Sequence, residues 1–211
     1  MSFTDRFAAA KELSKKLQKY KDDKNTIILA IPRGGLQTGY TLAKELNLPL
    51  DIVLTKKIGY PGDREYAIGA VSLKSYIVDD SLVKTGMVSQ EYIEREVVEI
   101  RKILEERYRR YRGDKEPCTV REKTVIITDD GVATGRTILA AIDLLREDKP
   151  KKIVVAVPVG PPATINHLKM KADEVVCVLV PEMFYSIGQF YTDFTQVEDE
   201  EAISMLEEAN R

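Results

Sequence analysis

The chain has 211 residues, about 1.4 times a common domain length, so one domain with an appendage is expected. Hydrophobic residues make up 44% and charged residues 31%, a balance that suits a compact soluble protein with a sizeable core. Thirty-two basic against 34 acidic side chains give a net charge of −2, which argues against a general binder of nucleic acid but leaves room for one small basic pocket.

Residues 3–20 carry Phe3, Phe7, Ala10, Leu13, Leu17 and Tyr20 at intervals of three or four, the spacing of an amphipathic helix. This opening is not expected to act as a signal peptide. No apolar run nears the ~18 residues of a membrane span, so a cytoplasmic setting is expected. Residues 26–31 (TIILAI) predict a buried strand, ended by Pro32-Arg33-Gly34-Gly35. Helical spacing resumes over 36–46, and 50–55 (LDIVLT) predicts a second strand. Residues 56–76 are rich in Gly, Lys and Arg, and predict a long flexible loop closing in a short hairpin. Ser89 is placed to cap a long helix over about 89–112, whose stripe is Ile93, Val97, Ile100, Leu104, Tyr108 and Tyr111. That stripe can pack on the sheet or pair with a second subunit as a homodimer. Arg107, Arg109, Arg110 and Arg112 end the helix. They could form a nucleic-acid patch, but a helix C-terminus favours cations without any ligand.

The second half alternates. Strands are predicted at 124–128, 152–157 and 174–180, with helices over 135–147 and after Pro161-Pro162. Two cysteines, Cys118 and Cys177, rule out a disulfide framework or four-thiolate zinc site, and the single histidine, His167, argues against a multi-histidine metal site or a Ser-His-Asp triad. Alternating strands and helices predict an α/β fold with a doubly wound, mainly parallel sheet over residues 1–180. The tail, 181–211, concentrates Met183, Phe184, Tyr185, Phe190, Tyr191 and Phe194 before an acidic stretch and a last short helix.

The most informative segment is residues 125–137, VIITDDGVATGRT. A strand delivers Asp129 and Asp130 to its carboxyl end, where an open parallel sheet forms its ligand crevice. Adjacent carboxylates can accept hydrogen bonds from vicinal hydroxyls or hold a divalent cation through water. Gly131 and Gly135 allow a sharp turn. The helix start offers unpaired amides beside the hydroxyls of Thr134 and Thr137, which makes a phosphate cradle. A plain strand–turn–helix junction would need only one acid, as a cap.

VIITDDGVATGRT resembles the binding signature of type I phosphoribosyltransferases for phosphoribosyl pyrophosphate (PRPP), and the whole chain resembles a poorly characterised branch of that family. Pro32–Gly35 resembles the pyrophosphate loop, Lys56-Lys57 with residues 61–66 the flexible catalytic loop, and the aromatic tail the hood over the nucleobase. The resemblance implies ribose hydroxyls and Mg²⁺ at Asp129 and Asp130, and a 5′-phosphate on Gly131, Ala133, Thr134, Gly135, Arg136 and Thr137. It implies pyrophosphate at Arg33, Gly34, Gly35 and Lys56, with Lys57, Arg64 and Glu65 as catalytic groups on the closing loop. A base would stack among Phe184, Tyr185, Phe190 and Tyr191. A non-proline cis peptide is expected at Arg33–Gly34. The 6-oxopurine enzymes carry an aspartate at the position of Ala133. Alanine cannot accept a proton, so Glu65 is the candidate replacement and the pattern stands nearer the adenine enzymes. A non-catalytic PRPP or nucleotide sensor, and a phosphosugar enzyme using the same pocket differently, are the alternatives.

Overall fold

A computed structural model describes residues 2–211. Five strands form a parallel sheet in the order β2 (Leu50–Ile52), β1 (Thr26–Ala30), β6 (Thr124–Thr128), β7 (Lys152–Val159), β8 (Glu174–Leu179). Because side chains alternate along a strand, the sheet builds two cores. Ile28, Ile126 and Val154 face α1 (Arg6–Lys16), α2 (Gly34–Leu46), α4 (Gln90–Arg112) and α7 (Asp199–Ala209). Ile27, Val125, Ile127, Ile153 and Val155 face α5 (Arg136–Glu147) and α6 (Pro162–Lys171) on the other side. This is the doubly wound α/β architecture expected from the alternation.

The opening helix is shorter than its apolar spacing suggested. Asp5 accepts from the Ala8 amide at 2.7 Å and starts α1 at Arg6. Phe3 lies outside it, bridged to Tyr191 of the tail, so its apolar side chain serves a tertiary contact.

Residues 56–76 contain the expected hairpin, but the stretch that reads as a loop is itself paired strand. They form a three-stranded antiparallel sheet of β3 (Lys56–Tyr60), β4 (Asp63–Val71) and β5 (Tyr76–Val78). Its glycines looked like loop residues, but they permit close strand pairing. A Cβ at Gly59 would lie 2.7 Å from the Arg64 Cα, and one at Gly69 2.3 Å from the Ile77 carbonyl oxygen. Ile58, Ile68, Ala70 and Val71 are buried, and β3 and β4 pack against α4. A short helix, α3 (Asp80–Lys84), follows that the sequence reading did not anticipate.

The arginine-rich end of α4 is partly spent on internal pairing. Arg112 lies 3.3 Å from buried Asp51 of β2, which also accepts from the Tyr108 hydroxyl at 3.0 Å, and Arg110 pairs with Asp199 of α7 at 2.9 Å.

Candidate active site

The chain runs from β1 outward to β2, then returns to lay β6 on the other side of β1. The carboxyl ends of β1 and β6 therefore flank a topological switch point, where such sheets open a crevice. The segment after β1 holds Arg33, Gly34 and Gly35, and the one after β6 holds Asp129 and Asp130. They are in direct contact. A Cβ at Gly34 would lie 2.1 Å from Asp130 Oδ2, and one at Gly35 2.9 Å from Asp129 Oδ1 and 3.0 Å from the Asp129 Cα. Only glycine lets the two segments approach this closely.

The carboxylates are held differently. Asp129 Oδ1 accepts from the Asp130 amide at 2.8 Å. Burial, then the neighbouring charge of Asp130, push the Asp129 carboxyl well above the usual carboxylate range. Asp130 is also raised by burial, with Arg6 opposing the shift. Arg6 Nε donates to Asp130 Oδ2 at 2.7 Å in a buried ion pair. Asp130 Oδ1 and Asp129 Oδ2 have no protein partner among the described residues and are not among the buried unpaired atoms. One oxygen of each carboxylate is thus without a protein partner among the described residues.

The turn that follows is rigidly braced. The Val132 amide donates to the Val159 carbonyl at 2.8 Å, and the Thr164 hydroxyl of α6 to the Ala133 carbonyl at 2.6 Å. Gly135 has a φ of 75°, which favours glycine, and precedes α5 with no side-chain cap. Ala133, Thr134, Arg136 and Thr137 are exposed around that helix start, so its first amides can meet an anion. Gly131 also makes room for a second segment. A Cβ there would lie 2.6 Å from Ile187 Cγ2, so glycine admits the tail.

The remaining predicted residues are less concentrated. Arg33 points to α7, with Nη1 3.7 Å from Asp199 and 3.8 Å from Glu198. The cis peptide is Pro32–Arg33, one bond earlier than expected. Lys56 is exposed at the start of β3. Lys57 pairs with Glu65 at 2.9 Å, and Arg64 with Glu96 of α4 at 3.5 Å. In the tail, Phe190 and Tyr191 are buried and Phe184 packs on Phe190, 5.4 Å between ring centroids. Tyr185 is 88% exposed. The Tyr191 hydroxyl donates to the Asp130 carbonyl, so the tail is tied to the motif itself.

Arg6 escaped the sequence reading. It lies on a helix that read as an amphipathic stripe, and nothing local in sequence announces its partners. Among the described residues no group of three or more His, Cys, Asp or Glu could hold a metal, and no helix is long and apolar enough to cross a membrane.

A family model for the phosphoribosyl transferase domain matches residues 3–195, the span from the Phe3 bridge to Thr195. The chain belongs to this family. A Mycobacterium tuberculosis protein named "Putative phosphoribosyl transferase" is 36% identical over 214 residues, covering 99% of this chain and 47% of that protein. The chain thus spans about half the length of that relative. The crystal structure of TT1426 from Thermus thermophilus superposes with a TM-score of 0.88 at 35% identity over 100% of both chains. A hypoxanthine-guanine phosphoribosyltransferase from Bacillus anthracis, 13% identical with a TM-score of 0.50 over 86% of this chain and 84% of its own, shares the fold.

Proposed function

We propose that the protein transfers the 5-phosphoribosyl group of PRPP to a nitrogen of a nucleobase or similar heterocycle. The acceptor nitrogen forms a bond to C1 of the ribose as the C1–oxygen bond breaks, pyrophosphate leaves with that electron pair, and the nitrogen's proton passes to a base, for which Glu65 of the closing arm is the candidate. The observation that carries this reading is the contact of Gly34 and Gly35 with Asp130 and Asp129 at the switch point, beside the exposed helix start at 133–137. It supports a crevice in which a backbone loop would meet pyrophosphate, carboxylates the ribose hydroxyls, and amides a 5′-phosphate.

In this reading the free oxygens of Asp129 and Asp130 take the ribose hydroxyls. Thr134, Thr137 and the amides of residues 133–137 take the 5′-phosphate. Gly34, Gly35 and Lys56 face the pyrophosphate, whose growing charge favours nearby cations in the transition state. Arg33 joins them once its guanidinium leaves Glu198 and Asp199. The β3–β4 arm, with Lys57, Arg64 and Glu65, closes over the reacting centre and excludes water. Phe184 and Tyr185 are the aromatic faces left for a base, since Phe190 and Tyr191 are packed.

The donor set fits a cation brought by the substrate. Two carboxylates, one of them engaged by Arg6, are too few to cage an ion alone. Asp129 and Asp130 are the residues that would help hold Mg²⁺, which would supply positive charge to the leaving group.

The test is pyrophosphate release from Mg-PRPP across purine, pyrimidine and other heterocyclic acceptors. At least one acceptor should give release above the water background, and Asp129→Asn should lower it about 100-fold or more. PRPP binding with no release for any acceptor would instead favour a sensor, for which the pairing of Arg33 with α7 is the supporting observation.

A further inference from the structure

Arg6 opens α1, yet its residue is only 6% exposed and its side chain crosses the fold. Nε holds Asp130 Oδ2 at 2.7 Å, and Nη1 donates to the Thr195 carbonyl at 2.8 Å. The guanidinium carbon lies 3.8 Å from the centroid of the Phe194 ring, which itself stacks on Tyr191 at 5.0 Å. Tyr191 then returns to the motif through the Asp130 carbonyl. One closed circuit therefore runs from Asp130 through Arg6, Phe194 and Tyr191 back to Asp130. The circuit joins both ends of the chain to the motif, and none of its links belongs to the 5′-phosphate loop.

A carboxylate can turn about its terminal bond. Occupation of Oδ2 by a planar donor fixes that turn and leaves Oδ1 as the one oxygen Asp130 can offer. The guanidinium also offsets the charge that two adjacent buried carboxylates would otherwise set against each other.

We propose that Arg6 is a positioning residue for the ribose subsite, holding Asp130 Oδ1 toward the ligand, and that the docked tail at Phe194–Thr195 holds Arg6 in turn. This rests on the reading of the crevice as a phosphoribosyl site. It makes ribose recognition depend on the tail while phosphate recognition does not.

The experiment is calorimetric titration of the full chain with ribose 5-phosphate and, separately, inorganic phosphate, for the wild type, Arg6→Gln, Arg6→Lys and Phe194→Leu. Arg6→Gln should weaken ribose 5-phosphate about tenfold to a hundredfold and leave inorganic phosphate within about twofold. Arg6→Lys should recover part of the loss, since it keeps the charge without the fork. Phe194→Leu keeps every Asp130 contact, and should give a smaller loss confined to the sugar phosphate. If Arg6→Gln does not fold, the ratio for Phe194→Leu decides. Equal weakening of both ligands, or no weakening of either, would overturn the role of Arg6. A wild type that binds inorganic phosphate but gains nothing from the sugar would instead overturn the phosphoribosyl reading itself.

Discussion

A methyl group at position 34 would sit 2.1 Å from a carboxylate oxygen of Asp130, less than any real contact allows. Gly34→Ala must therefore push apart the two segments that make the crevice. Overpacking of this kind costs about 1–3 kcal/mol, so calorimetry should show a melting temperature several degrees lower, together with lost ribose 5-phosphate binding. An unchanged melting temperature would mean that the loop relaxes freely and that the contact does not hold the site. At this scale the sequence was partly readable. Asp129, Asp130 and the glycines stand in two short motifs, so their meeting follows from where β1 and β6 end. Arg6 was not readable, because its partners lie 124 and 189 residues away and only the folded chain brings them near.

The long helix α4 shows what local pattern can carry. Its stripe from Ile93 to Tyr111 is buried as spaced, and Ser89 caps it by accepting from the Tyr92 amide at 3.2 Å. Ser89→Ala leaves that amide unpaired. The expected cost is about 1 kcal/mol, seen as a fall of about 2–4 °C in melting temperature with acceptor turnover unchanged. A variant melting with the wild type would place the cap in a frayed turn. The β3–β5 sheet shows where pattern fails. Its strands bury only some residues on α4 and leave Lys56, Lys57, Arg64 and Tyr66 exposed. Composition then resembles a loop, and the pairing that makes it a sheet rests on backbone hydrogen bonds and on glycines at close crossings. Strand–helix alternation over residues 124–179 was legible because its strands are apolar along nearly their whole length, as a sheet covered on both faces requires.

Across the whole molecule, the amino-terminal edge of the sheet is tied by one carboxylate. Glu174 of β8 meets Lys19 and Lys152 at 2.8 Å and the Tyr20 hydroxyl at 2.7 Å. Burial alone would raise its pKa, but the hydrogen bonds from Lys152, Lys19 and Tyr20 outweigh it and pull it from 4.5 down to about 2. A carboxyl lowered by folding stabilises the protein above its unfolded pKa, and loses that contribution as the pH falls through the folded value. The network should therefore weaken between about pH 4.5 and pH 2, where the unfolded chain takes up a proton before the folded one. Glu174→Gln should flatten this part of the acid unfolding curve and leave the site's ligand binding at neutral pH intact. An acid limb that keeps its wild-type steepness would assign it to other carboxylates.

Phe3 and Arg6 lie near one end of the chain and Tyr191 to Thr195 near the other, and the two stretches clasp over the acidic pair between them. During synthesis the nascent polypeptide carries VIITDDGVATGRT out of the ribosome before the second half of that clasp has emerged. If the crevice is the ribose subsite proposed above, a nascent copy would complete it only once residue 195 had cleared the exit tunnel.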